Sequence, residues 1–213
     1  MIVPAMTSQE LYKEIHTDLE IVFRKAGYLT SGLRREAVKS KTKYIQRIFD
    51  YKSKRQNKWF IVVDYYVVQP EFTVVVYYID NCGLNGVRIN WNNKSLTHFT
   101  SHFLERYNER FLRQENLSKL ELLKRFISKN PIEVIRSMPD SDTINNRIFG
   151  RFKEGIGLGF DEVLSEDGKE IHHFKTFISN EMIFESQLDD FNLIGKEYDA
   201  FWDETFKNIR RRA

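Results

Sequence analysis

Apolar residues in the first part of the chain recur every three to four positions, which is the spacing of one buried helix face. They follow a capping-box pattern at residues 7–10, and they are Leu11, Ile15, Leu19, Val22 and Phe23. We predict a helix from this cap to about Ala26, with Gly27 just beyond its end. A second helical stretch is predicted from Ser31.

The next part of the chain changes to the composition of a sheet. Residues 42–51 fit either a helix or a first strand, and we favour a strand from Tyr44. Runs dense in β-branched and aromatic residues predict strands at 58–64 and 72–80, followed by a shorter one at 87–91. Because short connections join these strands, the pattern favours an antiparallel meander.

The second half of the chain returns to helical spacing and then to strands. The predicted helices are 96–114, 120–129 with a capping box at 118–121, and a short one opening at Asn130-Pro131. The predicted strands are 147–152, 156–164 and 170–178, with a hairpin turn at 166–169 and a C-terminal helical region capped by Ser179.

These elements predict an α+β fold, with a mainly antiparallel sheet and N-terminal, central and C-terminal helices. No repeat, low-complexity run or linker-like segment divides the chain, so we predict a single domain over residues 1–213.

Composition indicates the cellular compartment that we expect for the protein. The single cysteine, Cys82, cannot form an intramolecular disulfide, and residues 1–10 lack the pattern of a secretory signal. The most apolar stretch, residues 59–68, is about ten residues long, whereas a membrane-spanning helix needs about 20. We therefore expect a cytoplasmic protein with no membrane partner. Its oligomeric state stays open.

Basic residues are unevenly distributed, although the formal net charge is only +3. Between Arg34 and Lys58 ten Lys and Arg residues face two acidic ones, which gives a local charge of about +8. This segment is either a solvated surface or an electrostatic footprint for phosphates, and the sequence favours neither.

Residues 97–113, read as one helix, separate into two faces. The apolar face gathers Phe99, Phe103, Leu104, Tyr107 and Phe111. The polar face gathers His98, His102, Glu105, Arg106, Glu109, Arg110 and Arg113. His102, Arg106 and Arg110 follow at four-residue steps, which places an imidazole beside two guanidinium groups. We call these three residues the helix row. Such a row suits a phosphate, but an ordinary amphipathic helix with surface ion pairs gives the same pattern.

The sequence from Thr100 to Arg110 resembles the Thr-x-His-x-x-x-Arg-x-x-x-Arg helix of some phage- and mobile-element-borne proteins. Those proteins are allied to the barnase, EndoU, colicin and RelE-like RNase fold. Lys175-Thr176-Phe177, on the strand predicted before the last helix, is similar to a late-strand functional element of such families. The resemblance covers about a third of the chain.

The resemblance implies metal-independent RNA cleavage, in an RNase or RNase-like toxin that needs no cofactor. It assigns His102 to proton transfer, Arg106 and Arg110 to the phosphate, and Lys175 with Thr176 to charge and hydrogen-bond support. His172 or His173 could supply a second proton-transfer group, although alternation along a strand allows only one of them to reach the site.

Other interpretations remain beside this one. The protein could be a non-catalytic nucleic-acid- or protein-binding module of a mobile element, using its basic segment. His98 and His102 have the spacing of two zinc ligands on a helix, but Phe99 stands where the zinc protease motif has glutamate, so we predict no metal. The glycines at 155, 157 and 159 favour a bent or bulged strand over a phosphate loop.

Overall fold

The first 40 residues form mainly one long helix. The computed structural model describes residues 1–66, 70–90, 94–131, 133–138, 146–182, 196 and 199–200. Helix α1 runs without a break over Ser8–Ser40, so the predicted end near Ala26 is wrong. A Cβ added at Gly27 or Gly32 would meet no atom within 4 Å, and buried Leu33 and Ala37 extend the apolar face beyond these glycines. The capping box of Thr7 with Glu10 is confirmed.

Nine strands in the described part of the chain form one sheet, and the predicted α+β class is confirmed. The strands are β1 (Tyr44–Lys52), β2 (Lys58–Tyr66), β3 (Pro70–Asp80), β4 (Gly83–Ile89), β5 (Ser95–Phe99), β6 (Val134–Met138), β7 (Arg147–Phe152), β8 (Gly155–Ser165) and β9 (Lys169–Ser179). Their order across the sheet is β1-β2-β3-β4-β5-β9-β8-β7-β6.

Two antiparallel meanders meet in the middle of this sheet. Strands β1 to β5 form the first and β6 to β9 the second, and a parallel pairing of β5 with β9 joins them. In that pairing His98 stands opposite His173. Residues 75 positions apart in sequence thus become neighbours on adjacent strands.

The region between the meanders is less helical than predicted. Residues 95–99 are strand β5, whereas we predicted a helix from Leu96. Helix α2 covers only Ser101–Tyr107 and continues as a π-helical turn over Asn108–Leu112, and α3 covers Lys119–Lys129. Because all five residues of β5 are buried between β4 and β9, tertiary pairing prevailed over helical spacing.

Two further predictions of helix need correction or lie outside the described residues. Asn130-Pro131 opens no helix, and the chain leads into strand β6. Ser179 is the last residue of β9 and is followed by a 3₁₀ turn over Asn180–Met182. Most of the predicted C-terminal helical region lies outside the described residues. None of the helices in the described part of the chain is long and apolar enough to cross a membrane.

The sheet separates two hydrophobic cores. Helix α1 packs on one face, which we call the α1 face, against residues that include Trp59, Val76, Leu96 and Ile171. Helices α2 and α3 pack on the opposite face, the α2 face, through an aromatic cluster of Phe99, Phe103, Tyr107, Phe126, Phe152, Phe174 and Phe177. A side chain on β5, β8 or β9 therefore belongs to one of two separate environments.

Candidate functional site: a histidine chain on the sheet

Helix α2 is fixed by its apolar side, as the sequence predicts. The Thr100 hydroxyl accepts a hydrogen bond from the Phe103 amide and donates one to the Phe174 carbonyl, which ties the start of the helix to β9. Phe103, Leu104 and Tyr107 are fully buried. The opposite side of the helix, which carries His102 and Arg106, is turned away from the sheet.

The helix row is only partly assembled. Arg106 Nε donates to His102 Nε2 over 3.4 Å, so these two side chains meet. Arg106 Nη1 also donates to Glu109 over 2.7 Å, which compensates its charge. Arg110 lies in the π-helical turn, and its Nη1 donates to the Phe177 carbonyl of β9 over 2.7 Å. The hydrogen-bond partner of Arg110 is thus the backbone of the framework.

Lys175 and Thr176 do not join the helix row, which corrects our expectation of one combined site. A register shift in the pairing of β8 with β9 leaves Lys175 without a partner residue, so that Thr176 pairs with Leu158 and Phe174 pairs with Gly159. Because of this bulge, Phe174 and Phe177 both face the α2 core although they are three residues apart. Lys175 directly follows Phe174 and lies two residues after His173, so strand alternation places it on the α1 face. There the Lys175 ammonium lies 5.4 Å from the centre of the Phe160 ring.

A chain of polar side chains crosses the sheet on that α1 face. His173 Nε2 lies 3.1 Å from Glu162 Oε2, and His173 Nδ1 lies 2.9 Å from His98 Nδ1. His98 Nε2 lies 3.3 Å from the Tyr78 hydroxyl. We call Tyr78, His98, His173 and Glu162 the histidine chain. Ser8 Oγ at the start of α1 donates to the same Glu162 oxygen over 2.6 Å.

When both imidazoles are neutral, one set of proton positions satisfies the contacts from Tyr78 to Glu162, but it leaves Asn85 Oδ1, 3.3 Å from His98 Nε2, facing an acceptor nitrogen. Tyr78 O–H donates to His98 Nε2, His98 Nδ1–H donates to His173 Nδ1, and His173 Nε2–H donates to the Glu162 carboxylate. We assign these protons from the partners, because each neutral imidazole has one donor and one acceptor nitrogen. The chain could therefore pass a proton from Tyr78 towards Glu162 in three short steps.

Burial keeps both histidines neutral. Desolvation lowers the pKa of His173 to about 4, although the neighbouring Glu162 carboxylate opposes this shift. Desolvation also lowers the pKa of His98 well below its ordinary value, and the charges on His173 and Lys175 act in the same direction. Burial raises the pKa of Tyr78 to about 12, so its hydroxyl stays protonated at neutral pH. Of these groups, Lys175 is exposed and Tyr78 is half-buried.

His172 faces the other side of the sheet and has a different environment. Its Nδ1 lies 2.6 Å from Asp161, and its Nε2 lies 3.5 Å from Glu170. Asp161, Glu170 and His172 each have a possible ligand atom, and these atoms lie close enough together to hold one metal ion. The imidazole, however, offers one nitrogen to each carboxylate, whereas a metal ion binds one nitrogen of a ring. The arrangement fits a hydrogen-bonded histidine between two carboxylates better than a metal site.

His98 and His102 do not form the pair on one helix that their spacing would allow, because they lie on different elements. His98 belongs to β5 and points to the α1 face, and His102 lies on exposed helix α2. The sequence carried no local signal for the pairing of His98 with His173, because it arises only from the parallel contact of β5 with β9.

The basic segment includes one edge of the sheet. All ten of its Lys and Arg residues are exposed, on the C-terminal part of α1, on edge strand β1 and on the turn into β2. Arg47 pairs with Glu36 over 2.6 Å, which joins β1 to α1. Arg55 at the other end forms a two-point contact with buried Glu14. We call these ten residues the basic edge.

Comparison of the chain with protein-family models, with curated proteins and with solved structures finds no match. The resemblance to the RNase fold therefore stays a prediction, and the function has to be argued from the geometry of the chain itself.

Proposed function

We propose that this protein cleaves RNA without a metal ion, and that its proton-transfer groups are those of the histidine chain. The observation that carries the proposal is the unbroken contact from Tyr78 through His98 and His173 to Glu162, with Lys175 beside it. Cleavage of this kind needs a proton acceptor for the 2′-hydroxyl, a proton donor for the 5′-oxygen and a fixed cation for the phosphate.

The residues of this face can be given these roles. The Tyr78 oxygen takes the proton of the 2′-hydroxyl while its own proton moves to His98 and on towards Glu162. The 2′-oxygen then bonds to phosphorus, and the bond from phosphorus to the 5′-oxygen breaks. Lys175 holds the phosphate oxygens and gives a proton to the departing 5′-oxygen. The products are a 2′,3′-cyclic phosphate and a 5′-hydroxyl, and solvent returns the relayed proton to Lys175.

The buried imidazoles suit a relay better than direct contact with RNA. Both are neutral at neutral pH, so each can accept a proton on one nitrogen while it releases one from the other. The carboxylate of Glu162 stabilises the positive charge that forms as the proton arrives, as the acidic member does in a catalytic triad. Tyr78 and Lys175 are the groups that would touch substrate.

The experiment is cleavage of end-labelled RNA by the purified chain in excess EDTA, with analysis of the product ends. We expect cyclic phosphate ends, and a rate that falls about 100-fold or more in His173→Gln and in Lys175→Ala. Lys175→Ala is informative even if His173→Gln folds poorly, because Lys175 is exposed.

His102→Ala is the matched control, because it removes an exposed histidine from the helix row. We expect its rate to stay close to that of the parent chain. If His102→Ala abolishes cleavage while Lys175→Ala does not, the helix row is the site instead. No cleavage of any RNA by the parent chain would reject the enzyme.

A second candidate function is non-catalytic binding of nucleic acid through the basic edge. The exposure of all ten cations of the basic edge favours it. Affinity for single-stranded RNA should then fall steeply with added salt, and Lys52→Glu with Lys54→Glu should weaken it further. His173→Gln should leave that affinity unchanged, and an affinity that ignores salt would reject this candidate.

A further inference from the structure

A cleft lies apart from Tyr78 and Lys175, between the N-terminal half of α1, the start of β5 and the β8–β9 hairpin. Its volume is about 780 Å³, within the range of roughly 300 to 1,000 Å³ that is usual for small-molecule sites. The described residues that line it are Gln9, Tyr12, Lys13, His16, Thr17, Lys94, Leu164, Ser165 and Lys169.

Basic side chains line this cleft. Three ammonium groups, those of Lys13 on α1, Lys94 directly before β5 and Lys169 on β9, contribute to the lining, and His16 adds an imidazole. None of the described lining residues is acidic. In the hairpin turn the Asp167 carboxylate pairs with Lys169 over 2.7 Å, and the Asp167 carbonyl accepts a hydrogen bond from the Lys94 ammonium over 3.1 Å. The described lining thus presents basic groups and no carboxylate to a ligand.

The cleft also has an apolar wall with rigid parts. The rings of Tyr12 and His16 are stacked, with their centres 3.9 Å apart. The Tyr12 hydroxyl donates to the Lys94 carbonyl over 3.0 Å, which fixes α1 against the start of β5. Leu164 of β8 adds an aliphatic surface. A ligand can therefore place a flat apolar body on this wall while its anionic group reaches the lysines.

We propose that this cleft binds an organic anion with a planar ring, of the size and chemistry of a mononucleotide. The combination of basic groups from three parts of the chain with an aromatic and aliphatic wall matches both parts of such a ligand. The proposal does not rest on the proposed RNA cleavage, because it uses neither the histidine chain nor Lys175.

The experiment is isothermal titration of the purified chain with adenosine 5′-monophosphate, adenosine and inorganic phosphate in separate runs. We expect saturable binding of the nucleotide, and binding at least about tenfold weaker for each half alone, since each lacks one set of contacts. Lys13→Ala, which changes an exposed lysine of α1, should weaken nucleotide binding about tenfold.

Lys129→Ala is the matched control, because it removes one exposed lysine from α3 on the opposite face of the sheet and should leave the affinity unchanged. Thr17→Glu introduces a negative charge at the cleft and should also weaken binding, with folding checked by thermal unfolding. The proposal is overturned if the nucleotide does not bind saturably, or if Lys13→Ala and Thr17→Glu bind it as tightly as Lys129→Ala does. Because the described lining of the cleft contains no residue of the histidine chain, this test and the cleavage test can fail separately.

Discussion

His102 and the pair of His98 with His173 differ in burial and in their hydrogen-bond partners. His102 lies on the exposed side of α2, where its neighbour Arg106 is already paired with Glu109. His98 and His173 are buried on the α1 face of the sheet, and their nitrogens are 2.9 Å apart. His102 belongs to a row that is prominent in the sequence, whereas only the fold brings His98 and His173 together.

This difference shows why a row of charged residues is weak evidence for a site. An exposed cation on a helix finds an acidic neighbour one turn away, and such pairs contribute about 0.5 kcal/mol to stability. Two buried imidazoles in contact must have every nitrogen matched to a donor or acceptor, because an unmatched polar group in the core costs about 1 to 3 kcal/mol. The buried pair is therefore specified by its surroundings, whereas the exposed row is not.

The bulge in β9 lets Phe174 and Phe177 share the α2 face while Lys175 lies on the α1 face, and Gly159→Ala should disrupt this bulge. A Cβ at this position would lie 1.8 Å from the His173 carbonyl oxygen, which is backbone and cannot move without shifting the strand. We expect a loss of about 3 kcal/mol or more in the free energy of unfolding, measured in urea.

Gly27→Ala provides the matched control for this substitution. Gly27 lies inside α1, and an added Cβ would meet no atom within 4 Å. Alanine should be neutral or should stabilise the helix by about 0.5 to 1 kcal/mol. If Gly159→Ala is as stable as the parent chain, the bulge is not a constraint on the sheet.

The lowered pKa of His173 predicts how stability depends on pH. In the unfolded chain a histidine titrates near a pKa of about 6.5, whereas in the folded chain the pKa of His173 is about 4. Between these values the unfolded chain binds more protons, so stability must fall as the pH falls. We expect a loss of about 2 to 3 kcal/mol between pH 6.5 and pH 4 from this residue.

Urea unfolding at a series of pH values measures this loss. The slope of stability against pH should be smaller in His173→Gln, because that variant lacks the titrating ring. His102→Gln removes one histidine from the exposed helix and is the matched control. Equal slopes in the parent chain and in His173→Gln would contradict the assignment of a buried neutral imidazole.

The same contrast explains which parts of the structure could be predicted from sequence. Strands with β-branched runs, such as β2, and the capping boxes at Thr7 and Ser118 depend on local chemistry, and these predictions are confirmed. Strand β5 was predicted as helix because Leu96 and Phe99 also fit a helical spacing. Only its pairing with β4 on one side and β9 on the other decides between the two.

The prediction of the functional site was limited in the same way, because it depended only on local spacing. Helical periodicity correctly brought His102 beside Arg106, because four-residue spacing is a local property. It could not show that a bulge separates Lys175 from the face on which Phe177 lies, since that depends on how β9 pairs with the glycines of β8. The contact of His98 with His173 depends on the order of strands, which no spacing within a segment contains.

The two arginines of the helix row provide the smallest and most direct comparison. Arg110 donates to the Phe177 carbonyl of β9, so Arg110→Ala removes a charged hydrogen bond to the framework and should cost about 1 to 2 kcal/mol. Arg106 pairs with exposed Glu109, so Arg106→Ala should change stability by less than about 0.5 kcal/mol. Urea unfolding of the two variants side by side measures the difference. Equal effects would mean that Arg110 is no more a part of the framework than Arg106, and that the row behaves as one exposed surface.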